Sequence, residues 1–111
     1  MMLPKKKRLN TEDFNRFFAS GKRYHSPSLQ IIHTPHHSFH GAVVVGKKVS
    51  KKAVTRNTLR RRLYNHLYYF CKLHDCSGVF IVLTKSSAVS VLAQQLQAEL
   101  TGLLTKIESK G

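Results

Sequence analysis

The sequence predicts a small α+β domain, an α/β sandwich in which one mixed sheet packs against about three helices. Short runs rich in Val and Ile alternate along the chain with segments whose apolar residues recur every three or four positions. The chain has 111 residues, a single-domain length, and 41% of them are hydrophobic, which is enough for a buried core. We assign residues 9–108 to this domain and residues 1–8 to a flexible basic arm.

The first predicted helix runs from Leu9 to Gly21. Asn10 is a suitable N-cap, and two acidic residues follow it in the first turn, near the positive end of the helix dipole. Gly21 marks the end of the helix. Three phenylalanines lie on this helix, and neighbours in sequence point about 100° apart. We therefore expect Phe17 in the core, whereas the pair Phe14 and Phe18 could pack inward or line a groove.

Three short apolar runs predict strands, namely Leu29–His33, Ala42–Gly46 and Val79–Leu83. The second run contains three consecutive valines without alternation, which predicts a strand that is covered on both faces. The third is the most apolar segment of the chain and is expected at the centre of the sheet. Between the first two strands, Pro35–His40 is predicted as a loop.

Between the second and third strands, the segment from Lys47 to Phe70 is rich in Lys and Arg and contains no Asp or Glu. From Ala53 onward its apolar residues follow helical spacing, which predicts an amphipathic helix with a core-facing stripe. The stripe consists of Leu59, Leu63, Leu67 and Phe70. The opposite face is predicted to expose Arg60, Tyr64, Asn57, Tyr68 and Arg61. Cationic, amide and aromatic groups on one face suit a phosphate backbone with nearby bases.

A final amphipathic helix is predicted to cover the sheet, because large apolar residues recur by threes and fours near the carboxyl terminus. These residues are Val89, Leu92, Leu96, Leu100, Leu103 and Ile107. The predicted element order is therefore helix, strand, strand, helix, strand, helix.

The charge balance indicates an anionic partner. Lys and Arg number 19 against 5 for Asp and Glu, which gives a formal charge of +14 and a pI of about 10.3. Neither a membrane-spanning run nor a secretory signal is visible, so we expect a cytoplasmic protein with reduced cysteines. Anchoring of the basic helix to a membrane surface is a weaker alternative, because its apolar stripe is needed for the core.

The sequence gives little support for a metal site or for catalysis by the protein itself. His36, His37 and His40 share a loop, and His66, Cys71, His74 and Cys76 lie close in sequence, but neither set has the spacing of a tetrahedral zinc site. The five acidic residues do not form an evident carboxylate pair, and no phosphate-binding glycine loop or nucleophile motif is present. An RNA-binding protein is the better class, and no helix-turn-helix precedes the basic helix to suggest DNA.

The segment Lys47-Lys48, a short linker and then Ala53-Val54-Thr55-Arg56-Asn57-Thr58-Leu59-Arg60-Arg61 resembles the signature of the protein subunit of bacterial ribonuclease P. The hallmark of that family is Arg-Asn-Arg-x-Lys-Arg on a helix. The first helix, with Glu12-Asp13-Phe14, Phe18 and Gly21, and the strand VFIVLTKSSA with its Leu-spaced helix are similar to the same family. About a hundred residues are accounted for in order.

The resemblance implies a left-handed crossover in the sheet and a role in removing the 5′ leader of precursor tRNA. Such proteins bind the catalytic RNA and contact the leader in a cleft, while hydrolysis belongs to the RNA subunit and its Mg²⁺. Phe14 and Phe18 would line the leader cleft. The residues expected on RNA are Lys47, Lys48, Lys51, Lys52, Arg56, Asn57, Arg60, Arg61 and Arg62. No obligate protein partner is evident.

Two residues depart from the family pattern. Thr58 stands where the hallmark has its second Arg, so one phosphate contact is missing or is supplied by Arg62. Ile32 occupies a cleft position that is often aromatic, which leaves the strength of leader binding open. The main alternative function is a ribosomal or ribosome-assembly RNA-binding protein, which would be equally small and basic.

Overall fold

The computed structural model describes residues 9–110, and the predicted basic arm at residues 1–8 lies outside them. The elements are α1 (Thr11–Ser20), β1 (Lys22–His25), β2 (Leu29–Thr34), β3 (Phe39–Val44), α2 (Ala53–His74), β4 (Gly78–Thr84), a 3₁₀ turn (Ser86–Val89) and α3 (Ala93–Lys110). The predicted class, one small mixed sheet with three helices, is confirmed for this part of the chain. None of the helices within residues 9–110 is long and apolar enough to cross a membrane.

The sheet has the strand order β1-β2-β4-β3. β1 pairs antiparallel with β2, β2 pairs antiparallel with β4, and β3 pairs parallel with β4. Because two adjacent parallel strands are joined through α2, the chain makes a crossover connection there. The left hand of that crossover stays a prediction from the family resemblance.

The two faces of the sheet are covered unequally. On one face α2 and α3 bury a large cluster that includes Phe80, Leu63, Leu67, Leu100 and Leu104. On the other face α1 covers a small cluster, which we call the α1-face cluster. Its buried members are Ile32, Ala42, Val79 and Ile81. The apolar stripe predicted for α2 is confirmed, since all four of its residues are buried.

The ends of α1 form as the sequence predicts. The Asn10 side chain accepts a hydrogen bond from the backbone N–H of Asp13 at 2.8 Å, and the backbone N–H of Gly21 donates to the Phe17 carbonyl at 3.0 Å. At the far end of α2, Asp75 adopts a left-handed conformation with φ of 52°, which turns the chain toward β4.

The strand predictions need two corrections. The sequence pattern misses β1, because Lys22–His25 is an edge strand that buries only Tyr24 and therefore lacks an apolar run. β3 begins at Phe39 and ends at Val44, earlier than the predicted Ala42–Gly46, because its ladder with β4 sets its bounds. Val44 is exposed, so the prediction that all three valines are covered is wrong; β3 is also an edge strand.

The last helix starts later than predicted. Val89 ends the 3₁₀ turn and Leu92 precedes α3, so both stay exposed, at 46% and 75%, and neither joins the core stripe. The remaining four residues of the predicted stripe are buried.

A hydrogen-bond network fastens the β1–β2 turn to α3. The carboxylate of Glu99 accepts from the Ser26 hydroxyl at 2.6 Å and from the backbone N–H of Ser28 at 2.8 Å. Lys85 adds a third link by donating from Nζ to the Ser26 carbonyl at 2.7 Å. Burial by itself raises the pKa of Glu99, but the hydrogen bonds from Ser26 and Ser28 outweigh it and hold the pKa below its ordinary value.

Glu99→Gln is expected to lower the free energy of unfolding by about 1 kcal/mol at neutral pH, because the charge of the acceptor strengthens these hydrogen bonds. A carboxyl whose pKa is lowered by folding stabilises the fold above its ordinary pKa, and this contribution disappears as pH falls through the folded-state value. The wild type and the variant should therefore converge in acid. Denaturant titrations at neutral and acidic pH measure this, with Glu12→Gln on the exposed start of α1 as the control. A constant difference between wild type and Glu99→Gln at all pH values would contradict the assignment.

Candidate nucleic-acid interface

The nine residues expected on RNA form one band, which runs from the loop after β3 to the third turn of α2. All are exposed except Arg56 and Arg60, which are half-buried. No acidic residue interrupts the chain between Gly46 and His74. The structure therefore places these residues next to one another on the loop and the first three turns of α2, and we call this stretch the basic band.

Arg56 fixes the loop to the helix. Its Nη1 donates to the backbone carbonyls of Ser50 at 2.9 Å and Lys51 at 3.0 Å. The helix has no side-chain N-cap, and its start is held instead by this guanidinium and by the Lys52 N–H, which donates to the Ser50 hydroxyl at 3.2 Å. The loop lysines and the helix arginines are thus held in one arrangement.

Asn57 and Arg60 act as a pair on the next turn. Arg60 Nη1 donates to the Asn57 side-chain oxygen at 2.7 Å, which orients the guanidinium along the helix surface. Arg61 and Arg62 are exposed, and Arg62 lies beside the start of α3. Such an array can bind several phosphates at once, and the planar guanidinium groups offer bidentate hydrogen bonds.

The prediction that Tyr64 is exposed on the outer face of α2 is wrong. Tyr64 is only 7% exposed and belongs to the large core cluster, while Tyr68 is half-buried against it. The reason is that α2 packs on β3 as well as on α3, so its buried side is broader than the leucine stripe suggests. The exposed face is centred instead on Asn57, Arg61 and Val54.

Thr58 and Ile32, which depart from the family pattern, are both engaged within the protein. The Thr58 hydroxyl donates to the Val54 carbonyl at 2.9 Å, so this side chain folds back on its own helix. Ile32 is 1% exposed and lies beneath α1 in the α1-face cluster. Ile32 therefore shapes the sheet face from below rather than offering an exposed side chain.

Phe14 and Phe18 stack on each other on the outer sheet face, with ring centroids 5.7 Å apart. Both are half-buried and pack against the α1-face cluster. The guanidinium of Arg23 lies 5.0 Å from the centre of the Phe18 ring and brings positive charge to the pair. Sequence reasoning missed Arg23 because it missed β1.

Phe17 is not the core residue that the sequence suggested, because none of the residues of α1 is fully buried. It is half-buried like the other two, in edge contact with the His36 ring at 6.1 Å and beneath the Arg16 guanidinium at 4.7 Å. α1 is the one helix described on this face of the sheet, and its three rings are only half-buried, so part of each ring stays open to solvent.

An open groove of about 590 Å³ lies on the same sheet face at the ends of β3 and β4. Its lining includes Gln30, Val44, Leu83, Lys47, Lys48 and Lys85. Phe14 and Phe18 do not line it, but Leu83 also packs against the cluster that holds them. The groove thus connects the phenylalanine side of the sheet with the start of the basic band. Lys85, which directly follows β4, was not among the predicted site residues.

The candidate metal ligands are not arranged as a site. Within the described residues, no group of three or more His, Cys, Asp or Glu side chains could hold a metal ion. Cys71 and Cys76 are unbonded and buried, and burial raises the pKa of each thiol, that of Cys76 to about 11. His66 is half-buried, and its Nε2 lies 2.6 Å from the Thr101 hydroxyl of α3. His36 stacks on His37 at 4.2 Å.

The profile of the family described as Ribonuclease P matches residues 3–108. A relative named Ribonuclease P protein component from Prochlorococcus marinus (strain MIT 9303) is 33% identical over 94% of this chain and 94% of its own length. Another relative of the same name, from Pseudanabaena sp. (strain PCC 6903), is 37% identical over 95% of this chain and 94% of its own length. The solved structure of a Staphylococcus aureus RNase P protein mutant with defective mRNA degradation activity has a TM-score of 0.80 at 22% identity, covering 94% of this chain and 90% of that one. That last likeness shows a shared fold.

Proposed function

The chain belongs to the ribonuclease P protein family, and we propose that its basic band binds the catalytic RNA while its outer sheet face receives the 5′ leader of precursor tRNA. The family resemblance seen in the sequence is confirmed, and with it the role as a subunit of a ribonucleoprotein endoribonuclease that processes tRNA 5′ ends. The ribosomal alternative is not favoured. We expect the protein to act in the bacterial cytoplasm, where precursor tRNA is made.

The observation that supports the catalytic RNA contact is the unbroken basic band. The basic band holds four lysines and four arginines, and no carboxylate lies between Gly46 and His74. Self-repulsion on a folded surface is relieved when a polyanion binds it, and counterion release from the RNA then drives association. Arg56 would serve this surface twice, since it anchors the loop through one nitrogen and leaves other N–H groups for RNA.

The outer sheet face supports leader binding. The leader is single-stranded, and such strands bind where stacking surfaces lie next to a positive groove. Phe14 and Phe18 would supply the stacking surface, with Arg23 beside them, and Lys47, Lys48 and Lys85 supply charge along the groove. The lysines at one end also belong to the basic band, so one strand could pass from the leader site toward the catalytic RNA.

The Mg²⁺ ions of the reaction would be held by the RNA subunit. Mg²⁺ prefers several oxygen ligands in octahedral geometry, and the carboxylates described in this chain do not fit that need. Asp13 pairs with Arg16 at 3.3 Å, and Glu99 accepts hydrogen bonds from Ser26 and Ser28. On this proposal the chain contributes binding and orientation.

Binding to the catalytic RNA is expected to weaken steeply with salt. If about six phosphates are neutralised, log K should fall against log salt with a slope of about −4 to −5. Arg60→Ala should make that slope shallower by about one, because one phosphate contact is lost. Filter binding or fluorescence anisotropy across a salt series, with reconstituted catalytic RNA, gives the slope.

Lys72→Ala is the matched control, since it removes one positive charge from the other end of the same helix. We expect its slope to equal that of the wild type. A slope near zero for the wild type, or equal changes for Arg60→Ala and Lys72→Ala, would refute the basic band as the RNA site. Circular dichroism of Arg60→Ala verifies that the helix is intact.

A further inference from the structure

A second groove lies beside the basic band, between the first turns of α2, the 3₁₀ turn and the start of α3. It encloses about 250 Å³. Leu59, Leu63 and Leu96 form its apolar floor, and its rim carries Arg62 and Gln97. Apart from Arg62, none of its lining residues belongs to the basic band or to the outer sheet face.

The rim of this groove is unusually apolar for a surface that adjoins a basic helix. Val54 is 77% exposed and Val89 is 46% exposed, and both line the groove. Contiguous exposed apolar surface in a small domain indicates an interaction site. None of the residues that line the groove is acidic.

We propose that this groove binds one unpaired nucleobase of the catalytic RNA. The inference rests on the proposed function of the basic band, with which the groove shares Arg62. Its volume lies below the roughly 300–1,000 Å³ of clefts that hold drug-sized ligands, which suits a single planar base. Protein sites for unpaired RNA stack the base on apolar or guanidinium surfaces and hydrogen-bond its edge.

The side chains at the rim match these needs. Arg62 can lie over the base or bind its phosphate, because its guanidinium is exposed at the mouth of the groove. The Gln97 amide offers one acceptor and two donor hydrogens to a base edge. Thr58 also lines the groove, and its short side chain, folded back on the Val54 carbonyl, leaves the mouth open.

Charge favours RNA over a second copy of this chain. The groove shares Val54 with the exposed face of α2 and Arg62 with the basic band, so RNA bound to the band would bring its unpaired bases within reach. A second copy of this chain would instead bring another strongly positive surface against the first, since the formal charge is +14.

Ala93→Phe tests the proposal by filling the groove from the first residue of α3, which lines it. Ala98→Phe is the matched control, because Ala98 is exposed on the same helix but outside the groove. In the reconstituted complex, Ala93→Phe should weaken catalytic RNA binding about tenfold, as expected for one lost base contact. Dimethyl sulfate and carbodiimide probing should show one or a few unpaired bases that the wild type and Ala98→Phe protect and Ala93→Phe does not.

A second, independent test compares Val89→Glu with Leu92→Glu. Both side chains are exposed, but only Val89 lines the groove, so Leu92→Glu is the control. We expect the larger loss of RNA affinity for Val89→Glu. Equal affinities and equal protections within each pair would overturn the proposal, as would sedimentation showing a dimer that Ala93→Phe abolishes. If Arg60→Ala weakens binding while both groove pairs behave alike, the groove inference fails and the basic band stands.

Discussion

Replacing Phe14 or Phe18 with alanine is expected to cost precursor tRNA about 1–3 kcal/mol of binding free energy per residue, and to leave the binding of mature tRNA unchanged. The two rings form a stacked, half-buried pair with the Arg23 guanidinium beside Phe18, so their exposed surface can stack bases of the unpaired leader. The measurement compares the affinity of the reconstituted holoenzyme for precursor tRNA with and without its leader.

Phe17→Ala is the control for this experiment. All three phenylalanines are half-buried against the α1-face cluster, so we expect similar losses of folding stability from each substitution. Phe17 contacts His36 and Arg16 instead of the stacked pair, so Phe17→Ala should retain the affinity that the leader adds. Equal loss of that affinity in all three variants, or in none of them, would remove Phe14 and Phe18 from the leader site.

Gly21→Ala is expected to lower the free energy of unfolding by about 1–3 kcal/mol, because there is no room for a methyl group where α1 joins β1. A Cβ at this position would overlap Cγ2 of Ile32 and would lie 2.9 Å from the Thr34 hydroxyl and 3.0 Å from the Phe17 carbonyl. The backbone at Gly21 is extended, with φ of −76°, so the constraint is space and not conformation. Denaturant unfolding measures the loss.

Gly102→Ala provides the contrasting case. Gly102 lies on α3, and no atom lies within 4 Å of the position that an alanine methyl group would take, so alanine should raise stability by about 0.5–1 kcal/mol through helix propensity.

Gly21→Ala should also reduce the affinity that the leader adds, because α1 and its phenylalanines shift. A Gly21→Ala variant as stable as Gly102→Ala would show that α1 is free to move away from Ile32.

The sequence predicted the elements whose patterns arise from burial on one side. The leucine stripe of α2, the apolar run of β4 and the capped start of α1 each combine a strong period with a clear boundary residue, and all three formed as expected. β1 escaped prediction because an edge strand with a single buried tyrosine carries no such pattern. The true start of α3 was not predicted because Val89 and Leu92 keep the helical period by chance, while Val89 lies in the 3₁₀ turn and Leu92 in the link before α3.

The parts of the candidate site that depend only on residue type and on spacing along the chain could be predicted from the sequence. The basic band follows directly from composition, because neighbouring residues on a loop and a helix remain neighbours in space. The burial of Tyr64 could not be predicted, since it depends on how closely β3 approaches α2. The groove that contains Lys85 joins segments far apart in sequence, and only the fold brings them together.

The unequal covering of the sheet gives the domain two levels of local stability. α2, the sheet and α3 share the large buried cluster, so their backbone amides should exchange with solvent only when the whole domain unfolds. α1 rests on a small cluster through half-buried rings, and it can detach at a lower free energy while the rest stays folded. The face proposed for the catalytic RNA is therefore rigid, whereas the face proposed for the leader can adapt to leaders of different sequence.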